Sequence, residues 1–348
     1  MGYVATIGMF DGVHRGHRFV LERVAACARE EGLQSMAITF DHTVRREPVI
    51  TPLDEKCHLI GAAGIDRVEV LAFTDELKQM TAREFMQQVL RDRLGVVVLL
   101  TGYDNRFGHN REEGFDDYVR YGHEMGIDVR SLPPLELSTV DHPLSDQQIS
   151  PLTSHLSPLI SHLSPLTSHL SPLTSHFSPL TSHLSPLISP CVSSTLIRQL
   201  LTEGRVDEAA VCLGRCYAIS GRVEHGEHMG TALGFPTANL QPTNPQQLIP
   251  GEGAYAVRVR LDDGAGLLPG MMNIGRRPTF EGRRQTLEIH IFDLDANLYG
   301  RRLTVELVGR LRSERRFDGA EALRQQLQQD AADARRLLAL YGSIKTGK

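Results

Sequence analysis

Residues 3–17 read YVATIGMFDGVHRGH, and this stretch sets the architecture of the first half of the chain. Tyr3–Ile7 is an apolar run that predicts a buried strand, and glycines and two histidines separate it from a helical pattern. Glycine lets a backbone approach a ligand closely, and a helix N-terminus that follows a strand attracts anions through its free N–H groups and its dipole. His14 and His17 are able to donate hydrogen bonds to phosphate oxygens there. The stretch therefore predicts a phosphate-binding loop between a strand and a helix.

The sequence after this loop alternates between strand and helix patterns up to residue 145. An amphipathic helix is predicted over residues 19–31, with Gly32 as its stop. Thr81 to Glu84 form a capping box that opens a second helix, which runs to about Leu94. Short apolar runs at residues 35–40, 68–73 and 96–100 suit buried parallel strands. This alternation predicts a doubly wound α/β domain.

Residues 147–190 interrupt the pattern with a seven-residue repeat, made of variants of Ser-Pro-Leu-Thr-Ser-His-Leu. A period of seven would suit a coiled coil, but each copy carries a proline, which removes a backbone donor and clashes with a helix. The segment also contains no Asp, Glu, Lys or Arg. Its composition therefore predicts a low-complexity, irregular insert.

Beyond the insert, two helical patterns are followed by a series of strand patterns. Helices are predicted over residues 195–201 and 206–213. From Tyr217 onward, Gly and Pro separate five strand patterns, at residues 217–223, 254–261, 271–274, 287–292 and 303–311. This spacing predicts a small antiparallel β-barrel, followed by one long helix over residues 317–341. We place the domain boundary near residue 216.

Composition narrows the class of protein. A chain of 348 residues is long enough for two domains with separate cores, and its net charge of −5 provides no global basic field for nucleic acid. The five cysteines form no CxxC pair, so we expect reduced thiols in the cytoplasm rather than a disulfide framework or a zinc ribbon. We expect no signal peptide and no membrane span.

Two further segments agree with a nucleotide site near the first loop. Residues 102–108, GYDNRFG, follow the predicted strand at residues 96–100, and ligands of open α/β sheets bind at such carboxyl ends. Residues 193–198, SSTLIR, place hydroxyls at a helix start and an arginine one turn later, which suits a triphosphate. Each segment alone would equally suit a turn or a helix cap. Their order along one chain favours the functional interpretation.

In these three segments the chain resembles the nucleotidylyltransferase superfamily, in particular the FMN adenylyltransferase module of bacterial bifunctional riboflavin kinase/FAD synthetases. The first segment is similar to that family's Gly-x-Phe-Asp-Gly-x-His-x-Gly-His motif. The resemblance implies a catalytic role for His14 and His17. It implies ATP binding by Gly8, Phe10, Asp11, Gly12, His14, His17, Ser194, Thr195 and Arg198. It implies flavin binding by Asp104, Arg106 and Phe107.

The chain departs from this family in two places. The family usually has a Phe-x-Pro-His-Pro-like segment after the second strand, whereas this chain has Phe40-Asp41-His42-Thr43. The first motif strand also begins at Tyr3, so we expect the short leading segment of the family to be absent.

The second half carries a glycine-spaced segment at residues 221–239 that ends in Phe-Pro-Thr-Ala-Asn. Glycines let a loop curl around phosphates, and the Thr237 hydroxyl and Asn239 amide oxygen are hard ligands suited to Mg²⁺. A glycine-rich hairpin is the alternative. The strand pattern at residues 287–292 alternates, so the Glu288 carboxylate is able to point into a polar site.

This half resembles the riboflavin kinase signature Gly-x-x-Leu-Gly-Phe-Pro-Thr-Ala-Asn, and later segments match in order up to residues 311–317, LRSERRF. The resemblance also makes Glu288 the catalytic glutamate. It implies binding of ATP and Mg²⁺ by Gly226, Gly230, Gly234, Pro236, Thr237 and Asn239, with Thr237 and Asn239 as the metal ligands. It implies flavin binding by Asn273, Gly275 and Arg312.

The whole sequence is therefore interpreted as two ATP-dependent enzymes in one chain. An α/β FMN adenylyltransferase domain covers residues 1–146, the insert covers 147–190, and residues 191–216 end that domain and form the linker. A riboflavin kinase barrel with a C-terminal helix covers 217–348. The partners are riboflavin, FMN and ATP, with Mg²⁺ as cofactor and a homo-oligomer left open. The alternatives are a kinase with an impaired adenylyltransferase and a non-catalytic flavin-binding protein.

Deletion of residues 151–190 is expected to leave kinase activity unchanged and adenylyltransferase activity equal or better. Lengthening a flexible loop from ~10 to ~50 residues costs only about 1.4 kcal/mol, which is small against a typical stability of roughly 5–15 kcal/mol. Paired measurement of FMN and FAD production by the deleted and full-length proteins tests this. Loss of FAD synthesis on deletion would contradict it.

Overall fold

A computed structural model describes residues 2–41, 47–102, 106–109, 113–133, 192–224, 234–262, 264, 266–279 and 282–346. The predictions for the repeat at residues 147–190 and for His42, Thr43, Asp104, Gly226 and Gly230 lie outside the described residues. Within these ranges no helix is both long and apolar enough to cross a membrane.

The N-terminal part forms a five-stranded sheet in which every neighbouring pair is parallel, in the order β3-β2-β1-β4-β5. The doubly wound α/β prediction is thereby confirmed. From β1 the chain adds β2 and β3 on one side of the sheet, and then β4 and β5 on the other side. The strand order therefore reverses between β1 and β4, and open α/β sheets bind their ligands at such a switch point. The strands are β1 (Tyr3–Ile7), β2 (Gln34–Phe40), β3 (Arg67–Leu71), β4 (Val96–Thr101) and β5 (Asp128–Ser131).

Alternate strand residues face two separate apolar layers. Ala5 and Ile7 belong to a core cluster with the helical segments between residues 82 and 125, whereas Val4 belongs to a cluster with the first two helices. The helices of this half are α1 (Arg15–Glu30), α2 (Leu53–Ala62), α3 (Asp75–Gln79), α4 (Ala82–Glu84) and α5 (Phe115–Met125). Both faces of the sheet are covered, as a parallel sheet requires.

Two predicted helices of this half begin or continue differently in the structure. Helix α1 begins at Arg15 and not at Phe19, because the His14 side chain caps it by accepting a hydrogen bond from the His17 backbone N–H. The capping box of Thr81 and Glu84 is confirmed. The helix that it opens widens into a π-helix (Phe85–Arg93), and the backbone N–H of Leu94 bonds to the carbonyl of Val89, five residues earlier.

After the insert the chain forms two helices, α6 (Ser194–Thr202) and α7 (Val206–Leu213), and then a closed six-stranded barrel in the order β10-β7-β6-β11-β8-β9. All of its strand pairs are antiparallel, so the barrel prediction is confirmed. Its strands are β6 (Tyr217–Glu224), β7 (Ala238–Pro242), β8 (Gly253–Leu261), β9 (Leu268–Thr279), β10 (Gly282–Ile291) and β11 (Arg302–Ser313). Strand β7 was not predicted.

The C-terminal helix α8 (Ala320–Thr346) lies against the outside of the barrel. It starts three residues later and ends five residues later than predicted. Ala334 of α8 is fully buried in an apolar cluster with Ala256, Met271 and Phe292. This contact covers part of the outer barrel face.

Candidate active sites

The loop after β1 lies at the sheet's switch point and has an unusual backbone. Phe10, Gly12 and Val13 all have positive φ angles, of 48°, 90° and 37°. A left-handed conformation is uncommon for a β-branched residue, and strained backbone of this kind clusters at ligand-binding sites. Val13 is fully buried. The surrounding protein therefore holds this turn in a shape that the chain would not adopt alone.

His14 and His17 lie side by side at the start of α1. Their rings are stacked with centroids 3.6 Å apart, and the Phe10 ring meets the His17 ring edge-on at 5.2 Å. The backbone N–H of His17 donates to His14 Nδ1 at 3.3 Å, so the proton of a neutral His14 is on Nε2. His17 Nδ1 is buried and finds no hydrogen-bond partner among the described residues.

Both imidazoles are neutral at pH 7. Burial, together with the nearby Arg215 guanidinium, lowers the pKa of His14 to about 4. Burial and the neighbouring His14 and Lys56 lower the pKa of His17 well below its usual value. Each ring therefore offers one N–H donor rather than a positive charge. The first turn of α1 contains no acidic residue that would repel a phosphate.

Asp11 joins three parts of the chain. Its buried carboxylate accepts hydrogen bonds from the backbone N–H groups of Ile50 (2.9 Å) and Thr51 (3.2 Å), and it forms an ion pair with Arg198 of α6. Ser194 donates to the Asp11 carbonyl at 2.8 Å. The predicted Ser-Ser-Thr-x-x-Arg segment is thus brought against the first loop. The carboxylate of Asp11 and one end of Arg198 are occupied by protein groups, which fits a positioning role.

Other predicted residues of this site take separate places. Thr195 is exposed at the start of α6, and Arg106 is exposed after β4. Phe107 is buried instead: its ring stacks on Tyr118 at 4.2 Å and belongs to the core of the sheet. Gly8 lies against the Phe10 ring, which a Cβ at Gly8 would approach to 3.1 Å. A flavin contact of Phe107 stays a prediction.

Sequence reasoning missed two cations behind the loop. Lys56 of α2 is fully buried, and its Nζ donates to Thr39 Oγ1 at 3.0 Å and to the Met9 carbonyl at 3.3 Å. Arg215 donates to the carbonyls of Gly12 and Val13. Neither has a local signal, because α2 lacks a recognised motif and Arg215 lies between α7 and β6. Only the folded chain brings them to the loop.

A second set of predicted residues lines up across the barrel. Asn239 of β7 lies directly opposite Glu288 of β10, and Glu288 lies opposite Asn273 of β9. Residues paired in this way point to the same face with Cβ atoms about 4.5–5.5 Å apart. Leu287 and Ile289, the strand neighbours of Glu288, are buried. The polar side chains therefore share the outer face of the barrel, where they are half-buried.

The row of polar residues also extends to strand β6. Glu224 of β6 lies opposite Asn239, so Asn239 has a glutamate on each neighbouring strand. We call Glu224, Asn239, Glu288 and Asn273 the polar row. Among the described residues no three acidic, histidine or cysteine side chains are arranged to hold a metal ion.

The segment before β7 is held against β10. His290, two residues after Glu288, makes a 2.8 Å hydrogen bond from Nδ1 to the Pro236 carbonyl, and its ring meets the Phe235 ring edge-on at 5.3 Å. Gly234, the first described residue after residue 224, has a φ angle of 83°. Thr237 is half-buried beside this contact. His290 thus fixes the Phe-Pro-Thr segment near the polar row, a role that the sequence had not indicated.

At the other end of the row, Asn273 hydrogen-bonds Glu314. The Glu314 carboxylate lies over Gly275, whose missing Cβ would be 3.6 Å from Glu314 Oε1. Burial raises the pKa of Glu314, Arg312 opposes this shift, and Glu252 and Glu288 add to it. Glu314 lies in the segment LRSERRF that resembles the family, but the sequence analysis gave it no role.

Arg312 is engaged within the protein. Its guanidinium forms a forked ion pair with Asp330 of α8, at distances of 2.9–3.1 Å, and it lies 5.5 Å from the centre of the Phe317 ring. Asp330 is buried. Its Nη1 also donates to the Ser313 carbonyl at 3.1 Å, so all three guanidinium nitrogens have protein partners. The flavin contact of Arg312 stays a prediction.

Comparison with known proteins agrees with this two-part organisation. A family model described as FAD synthetase matches residues 1–143, and one described as riboflavin kinase matches residues 213–338. A bifunctional riboflavin kinase/FMN adenylyltransferase of Pseudomonas fluorescens is 34% identical over 97% of this chain and 94% of its own. The Escherichia coli K12 protein of the same name is 33% identical with the same coverage.

A crystal structure described as a macrolide-efflux protein from Streptococcus pneumoniae has a TM-score of 0.75 at 24% identity, and the match covers 96% of this chain and 94% of that one. At this identity the likeness concerns the fold alone. It extends over both the parallel sheet and the barrel.

Proposed function

The chain belongs to the family of bifunctional riboflavin kinase/FMN adenylyltransferases, and on that basis we propose which residues carry out each of its two reactions. The enzyme phosphorylates riboflavin to FMN and transfers AMP to FMN, which forms FAD, with ATP as co-substrate. The proposal assigns the first reaction to the polar row and the second to the loop after β1. Its main support is that Asp11, Ser194 and Arg198 contact one another at the loop that carries His14 and His17, and that Asn239, Glu288 and Asn273 lie side by side on the barrel.

At the polar row, Glu288 acts as the general base. Its carboxylate accepts the proton of the riboflavin 5′-hydroxyl as that oxygen attacks the γ-phosphorus of ATP and ADP leaves. Asn239 and Asn273 flank it on the two neighbouring strands. Asn273 is oriented by Glu314, which supports a role in positioning the flavin beside the base.

Mg²⁺ is proposed as the cofactor of this site, with Thr237 and Asn239 as its protein ligands. The donor set fits, since a hydroxyl and an amide oxygen are hard ligands and glutamates lie on both sides of Asn239. Mg²⁺ commonly binds through one or two side chains and substrate phosphates. When bound, it supplies positive charge that offsets the charge of the phosphates.

At the loop after β1, adenylyl transfer needs no protein nucleophile. A phosphate oxygen of FMN attacks the α-phosphorus of ATP and pyrophosphate leaves; this oxygen is already ionised near pH 7 because the second phosphate pKa is about 6. The neutral His14 and His17 donate N–H groups to the phosphate oxygens, and the start of α1 adds its dipole. Thr195 supplies a hydroxyl at the start of α6, whereas the Ser194 hydroxyl donates to the Asp11 carbonyl and holds α6 against the loop.

Asp11 and Arg198 are proposed as positioning residues for this loop. Their ion pair spans the chain from the first motif to the segment after the insert. Separating α6 from the loop would leave the buried Asp11 carboxylate without its partner charge, which is costly. The ion pair therefore holds α6 against the loop. This assignment differs from a direct phosphate contact, which was the expectation from sequence.

We also propose that the enzyme works in the cytoplasm. The four described cysteines, Cys27, Cys57, Cys212 and Cys216, are free thiols, as is usual in a reducing compartment. The net charge of −5 supports small-molecule partners rather than nucleic acid.

Incubation of the pure protein with riboflavin, ATP and Mg²⁺ is expected to yield FMN and then FAD, and chelation of Mg²⁺ with EDTA is expected to stop both. Chromatographic separation of the three flavins provides the measurement. FMN without FAD would indicate an impaired adenylyltransferase, and no product would indicate a flavin-binding protein. Undiminished synthesis in EDTA would refute the proposed role of Mg²⁺.

A further inference from the structure

The chain segment between α7 and β6 lies directly on the loop after β1. Gly214 ends α7 with a φ angle of 72°, and a Cβ there would be 3.3 Å from Cγ of Arg15. A Cβ at Gly12 would lie 3.5 Å from Cδ2 of Leu213. The two segments are separated by about two hundred residues in sequence. Their close approach means that the loop is covered by residues at the entry to the barrel.

Arg215 projects from this segment into the back of the loop. Its Nη2 donates to the Gly12 carbonyl at 2.9 Å and to Thr51 Oγ1 at 3.3 Å. Its Nη1 lies 3.4 Å from the Val13 carbonyl. Burial lowers the pKa of Arg215, and the nearby Glu55 carboxylate opposes that shift. Because the ordinary pKa of arginine is very high, the guanidinium stays charged despite this shift. Its hydrogen bonds are therefore charge-assisted and stronger than neutral ones.

The carbonyls that Arg215 binds belong to the strained part of the loop. Gly12 adopts its positive φ angle without strain, but the φ angle of 37° at Val13 is strained and persists only where its surroundings enforce it. A peptide unit is planar and trans, so its N–H points away from its carbonyl. The Val13 carbonyl and the His14 N–H belong to the same peptide unit. Because Arg215 binds this carbonyl, the His14 N–H is directed away from Arg215, at the start of α1.

We propose that Arg215 is a positioning residue of the adenylyl-transfer site, supplied by the part of the chain that matches riboflavin kinase. It clamps the carbonyls of Gly12 and Val13, so that the start of α1 and the His14–His17 pair face the nucleotide phosphates. Residue 215 lies outside the stretch matched as FAD synthetase, 1–143, and inside the stretch matched as riboflavin kinase, 213–338. This inference rests on the proposed role of the loop in adenylyl transfer.

The test compares Arg215→Gln, Arg215→Lys and Arg205→Gln in the full-length protein. Glutamine removes the charge and the fork, whereas lysine keeps the charge but presents a single point donor. Arg205 is the matched control, because it stands at the start of α7 and pairs only with Glu203 and Glu208 in the contacts described. For each variant, kcat and KM are measured for FAD formation from FMN, and for FMN formation from riboflavin.

Arg215→Gln is expected to lower kcat of FAD formation on the order of 10-fold to 10²-fold, the range for a misplaced catalytic loop. The KM for FMN should change less, FMN formation should match the parent enzyme, and Arg215→Lys should restore part of the lost kcat. Arg205→Gln should leave both reactions unchanged. The kinase reaction reports that the barrel has folded, and the circular dichroism spectrum of each variant is compared with that of the parent enzyme to show that the α/β domain has folded as well.

If Arg215→Gln forms FAD with the same kcat as the parent enzyme, the inference is overturned. An equal fall of both reactions in Arg215→Gln and Arg215→Lys would also overturn it, because it would show a general structural role. The variant His17→Ala separates this inference from the proposed function. If His17→Ala makes FAD normally, the loop itself has been misassigned; if it fails while Arg215→Gln is normal, only the role of Arg215 is wrong.

Discussion

Replacement of Glu288 by glutamine is expected to slow FMN formation by about 10²–10⁴-fold, the usual effect of losing a general base. Glutamine keeps the shape of the side chain in the polar row but cannot accept the proton of the riboflavin hydroxyl. The position is constrained on both sides, since Asn239 and Asn273 pair with Glu288 from the adjacent strands. Initial rates of FMN formation from riboflavin and ATP provide the measurement.

Two controls accompany this variant. FAD formation from supplied FMN should persist in Glu288→Gln, because that reaction is assigned to the other domain. Glu306→Gln is the matched substitution on a barrel strand, where the carboxylate pairs with Arg258 outside the polar row, and it should retain kinase activity. Near-normal riboflavin phosphorylation by Glu288→Gln would show that another group takes the proton.

Replacement of His17 by alanine is expected to reduce FAD formation by about 10²-fold or more, the range for one preorganised hydrogen-bond donor. The change removes an N–H donor to the phosphates and also the ring that stacks on His14. FMN formation should be nearly unchanged.

The control for His17→Ala is His123→Ala, which removes an exposed histidine from α5 in the same domain. Rates of FAD formation from FMN and ATP, and of FMN formation from riboflavin, are measured for both variants. His123→Ala should behave as the parent enzyme. If His17→Ala lowered both activities together while the fold stayed intact, the model of two independent sites would be wrong.

Elements with a strong local pattern could be predicted from sequence. Strand β1 (Tyr3–Ile7) and helix α7 (Val206–Leu213) have the bounds expected for them, because an apolar run or a helical spacing is carried by the element's own residues. Strand β7 (Ala238–Pro242) was missed. It contains proline and polar residues, and it is a strand because β6 and β10 supply its hydrogen-bond partners.

Site residues divide in the same way. The sequence by itself determined the two motif loops, the histidine pair and Glu288, because these depend on residue type and on short spacing. It assigned Asp11 and Arg198 separately to ATP, and only the folded chain shows that they bind each other across 187 positions. Lys56 and Arg215 could not be found at all from local patterns.

The short-range pattern of a sequence predicts which face of a helix or strand a side chain occupies. It does not predict which distant element packs against that face. The alternation around Glu288 predicted its exposure to a polar site; the strand register of β7, β9 and β10 decided that Asn239 and Asn273 stand beside it. Likewise the glycines of the first loop permit its left-handed turn, whereas contacts with α6 and with Arg215 hold it. Register and long-range packing are cooperative properties of the whole fold, so only the tertiary structure decided them.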